Sequence, residues 1–176
     1  MKTYNITIKG TAPLLMNKAP DFDVQDTERK GEGKDSPDKC EGKLYKNEEE
    51  KIVQPSVMIE QAMNKTASSF KQKGAGKKTY KELFIGSVFV KPDYIIHKKP
   101  KWEVHKTSVK IGAGNRVARF RPLFKEWELD FQIEVMDDRI EEQTLKAVLD
   151  EAGRTKGIGD WRPRFGRFIV TKFQKS

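Results

Sequence analysis

Hydrophobic and polar residues alternate in two stretches of the chain, and this period of two is typical of β-strands with one buried face. Near the start, Tyr4, Ile6 and Ile8 alternate with polar residues, and the apolar stretch 13–16 continues this strand into the core. In the second stretch every other residue is apolar: Trp127, Leu129, Phe131, Ile133 and Val135. Short apolar runs at residues 83–90 and 167–173 predict two more strands.

Helical spacing of apolar residues predicts two helices between these strands. Ser56 is the expected N-cap of the first helix, and its buried face comprises Ile59, Ala62, Met63, Ala67 and Phe70. Asp137 or Asp138 is expected to begin the second helix, and Gly153 is expected to end it. The buried face of the second helix comprises Leu145, Val148, Leu149 and Ala152.

The predicted order of elements is strand, helix, strand, extended arm, strand, helix, strand. Two strand–helix–strand units with right-handed crossovers predict an α+β fold of the ferredoxin-like (RRM-like) βαββαβ type, an antiparallel sheet with both helices on one face. The length of 176 residues fits one RRM-like domain spanning residues 1–176. This topology leaves the other face of the sheet open, and RNA-binding modules that share it stack bases there.

Charge and hydropathy set residues 18–51 apart from the rest of the chain. They contain 8 Lys or Arg and 11 Asp or Glu, a net charge of −3, whereas the remaining residues carry +12. The segment also contains few apolar side chains, too few to offset the conformational entropy that the segment would lose on ordering. This composition predicts a mobile acidic insertion. Cys40 lies within it and is expected to be an exposed thiol without function. The spacing of the aspartates fits no calcium loop, so they are expected to keep the segment solvated: Asp21, Asp23, Asp26, Asp35 and Asp38.

Composition excludes several classes of protein. A net charge of +9 and a pI near 9.5 favour an anionic partner, nucleic acid first and a membrane surface second. No apolar run reaches the roughly 18–20 residues of a membrane span, and the start of the chain lacks the pattern of a signal peptide. We therefore expect a soluble, cytoplasmic protein without membrane contact. One cysteine and two histidines exclude an internal disulfide and a zinc finger, and no cofactor or metal is expected.

Two segments hold most of the excess positive charge. Residues 97–121 are predicted to form a basic hairpin arm that turns at residues 112–115, and from Lys98 to Arg121 they contain eight cations against the single acid Glu103. Residues 153–168 contain five cations and one acid, interleaved with aromatic residues. This mixture suits a single-stranded polynucleotide, because guanidinium groups contact phosphates, rings stack on bases and glycine permits close approach.

The candidate nucleic-acid-binding residues come from both segments. In the arm they are Lys106, Lys110, Arg116, Arg119 and Arg121. After the second helix they are Arg154, Lys156, Gly157, Gly159, Trp161, Arg162, Arg164, Phe165 and Arg167, and the further candidates for base stacking are Trp102 and Phe120. Two plainer interpretations stay open: the rings cover the edge of the core, and the basic runs are solvated faces. A phosphate loop is excluded, because the two loop glycines follow a helix, whose negative dipole end would face the phosphate.

For catalysis the sequence offers two histidines, His97 and His105, both in the basic arm. Neighbouring cations should depress the pKa of an imidazole there, and a neutral histidine near phosphates is a candidate general base for RNA cleavage. The more ordinary role is a polar arm residue or a phosphate contact. No Ser–His–Asp or Cys–His arrangement is recognisable, so the chain is predicted not to be an enzyme. The alternative is a ribonuclease that uses His105 or a metal ion held by the insertion.

Several motifs carry a family resemblance. The first strand runs into Gly10-Thr11-Ala12-Pro13-Leu14-Leu15-Met16, and Val53-Gln54-Pro55-Ser56 opens the first helix after the insertion. A glycine- and arginine-rich loop follows the last helix, and Gly166-Arg167-Phe168 enters the final strand. In these motifs the chain resembles the RAMP superfamily of RRM-like proteins, above all the backbone subunits of CRISPR effector complexes and their stand-alone relatives in phages and mobile elements.

The resemblance implies binding of single-stranded RNA along a basic groove framed by the first helix, a thumb-like hairpin and the glycine-rich loop. It places Gln54, Ser56, Asn64 and Lys65 near the nucleic-acid backbone and makes the arm the thumb. The expected function is non-catalytic, largely sequence-independent binding of single-stranded RNA or DNA. The alternative is a subunit of a CRISPR-like nucleoprotein complex. Expected partners are therefore single-stranded nucleic acid, further copies of the chain in head-to-tail association, or other subunits of such a complex.

Overall fold

The computed structural model of the protein describes residues 1–19, 35–111 and 114–176. Three helices and nine strands follow one another in this part of the chain. They are β1 (Lys2–Gly10), β2 (Leu14–Leu15), β3 (Val53–Pro55), α1 (Val57–Ala67), α2 (Lys81–Ser87), β4 (Val88–Lys91), β5 (Tyr94–Ile96), β6 (Glu103–Ile111), β7 (Asn115–Phe124), β8 (Glu128–Val135), α3 (Glu142–Thr155) and β9 (Phe168–Lys175). The predicted α+β class is confirmed.

The main sheet has four strands in the order β4-β8-β1-β9, and each neighbouring pair is antiparallel. The alternating residues of β1 and β8 bury one face of this sheet, as their pattern predicts. Against that face lie α1 and α3, which also pack against each other. Two smaller sheets complete the fold: β2-β7-β6, which contains the predicted hairpin arm, and the two-stranded ribbon β3-β5.

The strand predicted at residues 83–90 is wrong in its first part. Residues 81–87 form the helix α2, and only residues 88–91 form a strand. A run of apolar residues is compatible with either structure. In this case Tyr80 and Phe84, four residues apart, meet edge to face with their ring centroids 6.4 Å apart and point into the core, whereas Ile85 faces solvent. That one-sided burial is helical.

The two helices that the sequence predicts, α1 and α3, differ from the prediction at their ends. Ser56 precedes α1 as expected, but its side chain makes no capping hydrogen bond, because the residue already has helical backbone angles. The helix α3 begins at Glu142 rather than at Asp137 or Asp138, and it continues past Gly153 to Thr155. The reason lies in packing: a β-carbon on Gly153 would lie 2.4 Å from the carbonyl oxygen of Phe168. Gly157, two residues after the last helical residue Thr155, has a φ of +68° and terminates the helix instead.

The predicted acidic insertion, residues 18–51, lies partly outside the described residues, since 20–34 are not among them. Its described later part contains two short 3-10 turns, Pro37–Lys39 and Glu41–Lys43, and it buries Leu44 in the core. The expectation that Cys40 is exposed is wrong, because its side chain is fully buried between these turns. Burial also raises the pKa of its thiol, which makes it a poor nucleophile.

Among the described helices, none is long and apolar enough to cross a membrane. The longest is α3, with 14 residues, whereas a span needs about 20 apolar residues.

His97 is a core residue, and the expectation that neighbouring cations set its pKa is wrong. Its ring is buried and stacks on Phe124 with the ring centroids 4.9 Å apart. Both ring nitrogens lack a hydrogen-bond partner among the described residues. Burial lowers the pKa of His97 to about 4, because the charged imidazolium would lose its hydration without gaining a partner.

This burial predicts a loss of stability in mild acid. Between pH 6.5 and pH 4 the unfolded chain binds a proton at His97 and the folded chain does not, so the free energy of unfolding should fall with pH by about 3 kcal/mol. Urea unfolding at several pH values measures this. A His97→Leu variant should lack this component, so the stability difference between the two proteins should change across that window. Parallel pH profiles would contradict the assignment.

Candidate nucleic-acid interface

The basic arm is the hairpin β6–β7, and its cations divide between two faces. In an antiparallel pair, residues directly opposite each other share a face. His105 lies opposite Arg121 and Thr107 lies opposite Arg119, so these four residues share one face. The other face carries Lys106, Lys110 and Arg116, all of which are exposed. The sequence predicts one basic thumb, and the structure resolves it into two surfaces.

The loop after α3 folds back on the protein through its glycines. Gly166 has a φ of +77°, and a β-carbon there would lie 1.7 Å from the carbonyl oxygen of Ile158. Gly159 packs in the same way on Leu14 and on the carbonyl oxygen of Leu15, each 2.5 Å from where its β-carbon would be. The close approach that sequence reasoning assigned to a nucleic-acid ligand at Gly157 and Gly159 is therefore made by the protein's own backbone.

Residues 11–16 join the arm to this loop. On one side, Leu14 and Leu15 form β2 and pair with the end of β7, and the Met16 N–H donates to the carbonyl of Pro122 at 3.0 Å. On the other side, the N–H groups of Asp160 and Gly166 donate to the carbonyls of Leu15 and Pro13, each at 2.8 Å. One short segment thus fixes the positions of both basic elements.

A cluster of side chains forms where the arm and the loop meet, and we name it the arm–loop cluster: His105, Arg121, Asp160, Trp161, Arg164 and Phe165. Nε of Arg121 lies 2.6 Å from the carboxylate of Asp160. The ring of Phe165 lies between the rings of His105 and Trp161, at centroid distances of 5.4 and 5.5 Å. The guanidinium of Arg164 lies 5.8 Å from the centroid of the Trp161 ring.

The exposed members of this region have the chemistry that an unpaired strand requires. Trp161 is 45% exposed although it is large and apolar. Arg162, Arg164 and Arg167 are exposed, and none of them forms an ion pair within the part of the chain that the structure describes. Guanidinium groups beside an exposed indole combine phosphate contact with base stacking.

The remaining predicted residues lie elsewhere or are engaged. Arg154 is exposed on α3 and forms an ion pair with Glu151, and Lys156 is half-buried at the start of the loop. Phe120 is buried, with the ammonium of Lys106 5.8 Å from its ring centroid, so its ring is not available for stacking. Trp102 is half-buried at the base of the arm.

The residues implied by the family resemblance are only partly accessible. Gln54 and Ser56 are buried, whereas Asn64 is half-buried and Lys65 exposed. The N–H of Ser56 donates to the carbonyl of Asp93 at 2.8 Å. Direct contact with a nucleic-acid backbone is therefore open to Lys65 rather than to Gln54 or Ser56.

An ion pair that sequence reasoning missed holds the edge of the arm. Nζ of Lys43 lies 2.8 Å from Asp35 and donates to the carbonyl of Phe120, while the N–H of Phe120 donates to Asp35 at 2.8 Å. These two side chains extend the pairing of β2 along β7. Burial alone would raise the pKa of Asp35, but hydrogen bonds from Lys43 and Phe120 hold it below its ordinary value. No pattern in the sequence links residues so far apart.

The open face of the main sheet is polar at its centre. Its central side chains bond to one another: Thr7 donates to Asp130 at 2.7 Å, and Gln132 donates to Asn5 at 2.9 Å. Lys98 adds an ion pair to the same Asp130 at 3.0 Å. These groups satisfy each other, and the ring of Phe89, which lies opposite Glu134 on the same face, is half-buried.

Metal ligands are not grouped in the described part of the chain, which holds no set of three or more His, Cys, Asp or Glu side chains able to bind an ion. Of the insertion aspartates, Asp35 is paired with Lys43 and Asp38 is exposed. Asp21, Asp23 and Asp26 lie outside the described residues.

Comparison with known proteins gives a match in structure only. No family model matches the sequence, and no curated protein matches it. Among solved structures 57 chains match, including the crystal structure of a CRISPR protein from Archaeoglobus fulgidus. That match has 14% sequence identity and a TM-score of 0.42, and it covers 99% of this chain. The chain spans 64% of the length of that protein.

The loop geometry predicts unequal costs for two glycine substitutions that share a positive φ. Gly166→Ala should lower the free energy of unfolding by about 3 kcal/mol, because backbone strain adds to a clash with Ile158. Gly74→Ala has the same kind of strain, with a φ of +72° and no atom within 4 Å of the new β-carbon, so it should cost about 1 kcal/mol. Urea unfolding measures both, and equal losses would contradict the packing described here.

Proposed function

We propose that the protein is a non-catalytic, single-stranded nucleic-acid-binding protein that holds RNA or DNA across the arm–loop cluster. The observation that carries this proposal is the position of Trp161, an exposed indole with Arg164 against its ring. Arg162 and Arg167 are close by in the chain and form no ion pair within the described residues. A surface built only for solubility has no need of a half-exposed indole.

The preference for single strands follows from the chemistry of stacking. A ring in the solvent can stack on a base only if the face of that base is free, which is true of unpaired strands and not of the interior of a duplex. Each stacked base contributes roughly 1–3 kcal/mol of binding free energy, and the stacking contact accepts any of the bases. The arginines supply the remaining affinity through phosphates, and this part weakens with salt.

The proposal includes a ferredoxin-like fold of the RAMP type. The four strands of the main sheet come along the chain in the order β1, β4, β8, β9 and lie side by side as β4-β8-β1-β9. This order supports a βαββαβ arrangement. The motifs at residues 10–16, 53–56 and 166–168 support the RAMP resemblance. In the proposed complex the arm–loop cluster takes the place of the sheet face that other RRM-like modules use.

Ribonuclease activity remains the minority alternative. His105 touches the proposed path of the strand, since its ring packs edge to face on Phe165 and shares a face with Arg121. General acid–base cleavage commonly uses a second titratable group in reach of the same phosphate. Asp160 is the nearest candidate, and it is already engaged in an ion pair with Arg121. Intact RNA after incubation with the protein is therefore the expected result on a denaturing gel.

A second candidate function is a subunit of a CRISPR-like nucleoprotein complex. The observation that favours it is an exposed apolar patch on β5. Tyr94 and Ile96 are 59% and 48% exposed on one side of β5, and Tyr94 lies opposite Pro55, which closely precedes the exposed Val57. Patches of this kind commonly mark contacts between proteins. This function and strand binding are compatible, because the patch contains no member of the arm–loop cluster.

Replacing Arg162, Arg164 and Arg167 together with alanine should weaken binding to labelled single-stranded 30-mers at least about tenfold near 0.1 M salt. Removing three phosphate contacts should also reduce the slope of log affinity against log salt by about 2. Fluorescence anisotropy across a salt series measures both quantities, with duplex DNA of the same length as the specificity control.

A charge-matched control separates the site from the net charge of the protein. Lys77, Lys78 and Lys81 are exposed in and after the connection between α1 and α2, and their triple replacement by alanine removes the same charge. This variant should bind nearly as well as the unaltered protein. Equal losses in the two triple variants would leave only a nonspecific basic surface, and binding to duplex as tight as to single strands would contradict the proposed function.

A further inference from the structure

A small polar cavity lies beside the loop, immediately before Trp161. Its volume is about 80 Å³, and the polar side chains that line it are Asn17, Tyr45, Gln54 and Asp160. A water molecule in the liquid occupies about 30 Å³. The cavity therefore has room for two or three waters, or for the edge of one planar ring.

Gln54 gives the cavity an unused acceptor. Its side chain is 0% exposed, and its Nε2 donates to Sδ of Met58 at 2.8 Å. Its Oε1 is buried without a hydrogen-bond partner among the described residues. A buried amide oxygen is costly to leave unpaired, so the site favours an incoming donor.

Asp160 and Tyr45 complete the hydrogen-bonding pattern. One carboxylate oxygen of Asp160 lies 2.6 Å from Nε of Arg121, yet it accepts no aligned hydrogen bond, so the contact is an ion pair that leaves acceptor capacity. Tyr45 is half-buried, and burial raises the pKa of its phenol. Its hydroxyl therefore keeps its proton and can donate. Besides the exposed Asn17, whose amide can donate or accept, the cavity offers one donor, the Tyr45 hydroxyl, and two acceptor groups, on Gln54 and Asp160.

We propose that this cavity receives the Watson–Crick edge of a guanine in the bound strand, next to the base that stacks on Trp161. Guanine presents one acceptor, O6, and two adjacent donors, N1–H and the N2 amino group, which match the hydroxyl of Tyr45 and the two acceptors. Adenine and cytosine place a ring-nitrogen acceptor beside their amino group, and uracil and thymine flank one donor with acceptors. Each of these bases would place an acceptor against the acceptor oxygen of Gln54 or Asp160, where no hydrogen bond can form.

This inference rests on the proposed function. It adds a preference for one base to a surface that otherwise binds single strands of any sequence. Reading of base edges in unpaired strands is a common mode of recognition. Gln54 is thereby a specificity-determining residue that is reached by an edge entering the cavity, although its own side chain is not exposed.

The test uses 12-mers of oligouridine and of oligothymidine with one central guanine, inosine or adenine. Inosine is the sharpest comparison, because it differs from guanine only in lacking the N2 amino group. The unaltered protein should bind the guanine strand about fivefold more tightly than the inosine strand. Gln54→Met, which keeps the volume and removes the amide oxygen, should abolish this difference.

Stability of the free variant separates a recognition role from a structural one. Because Oε1 of Gln54 has no partner, Gln54→Met should leave the thermal unfolding midpoint unchanged or higher. Gln132→Met is the matched control on the open face of the main sheet, where Gln132 is exposed, and it should keep the guanine preference. Should Gln54→Met fail to fold, Gln54→Leu provides the same comparison, because it also removes the amide oxygen at similar volume.

The outcomes separate the two proposals. Loss of the guanine preference in Gln54→Met with retained strand binding supports the inference. Equal affinity of the unaltered protein for guanine and inosine strands, or a preference that survives both substitutions, overturns it, shows that the cavity holds only water, and leaves the proposed function standing. Failure to bind any of the 12-mers near 0.1 M salt contradicts the proposed function and the inference together.

Discussion

The backbone of residues 11–16 is the element on which the proposed interface depends. It pairs with β7 on one side and accepts hydrogen bonds from the loop after α3 on the other. The segment is itself anchored at its start, where the indole Nε1 of the fully buried Trp127 donates to the carbonyl of Ala12 at 2.8 Å. The arm and the loop are distant in sequence, and this shared backbone brings their aromatic and basic side chains into contact.

The loop keeps its shape because glycines occupy the positions where it touches other backbone. With Gly159 and Gly166 against residues 11–16 and Ile158, the tip of the loop, residues 161–164, is left exposed. The glycines therefore fix the shape of the loop by packing on the protein's own backbone. In the proposed interface, the side chains at the tip make the contacts to the ligand. The ion pair of Arg121 with Asp160 then connects the tip to the arm. A rigid presentation of Trp161 and its arginines reduces the entropy lost when a strand binds.

Periodicity alone was sufficient to predict β1, β8, the buried face of α1 and most of α3, because those elements bury one face and expose the other. It failed at residues 83–87, where a short apolar run is compatible with a strand or a helix and tertiary packing of Phe84 decides. It also failed at Gly153. Glycine is common at the ends of helices, but here it lies inside α3 and allows β9 to pack closely against the helix.

The two basic segments were identifiable from charge. The contact between these two segments could not be predicted from charge. It depends on hydrogen bonds that join both of them to residues 11–16, more than a hundred residues away in the sequence. The buried states of Cys40, Gln54 and His97 likewise follow from tertiary packing that no local pattern encodes.

The proposed interface requires that a single strand lie across Trp161 and Phe165. Photochemical crosslinking of a strand that carries 4-thiouracil or 5-bromouracil, followed by mass spectrometry of the crosslinked peptides, tests this position most directly. We expect crosslinks concentrated at Trp161 and Phe165 in the loop and at His105 in the arm. Crosslinks concentrated instead on the open face of the main sheet, at Asn5, Gln132 or Lys172, would contradict it.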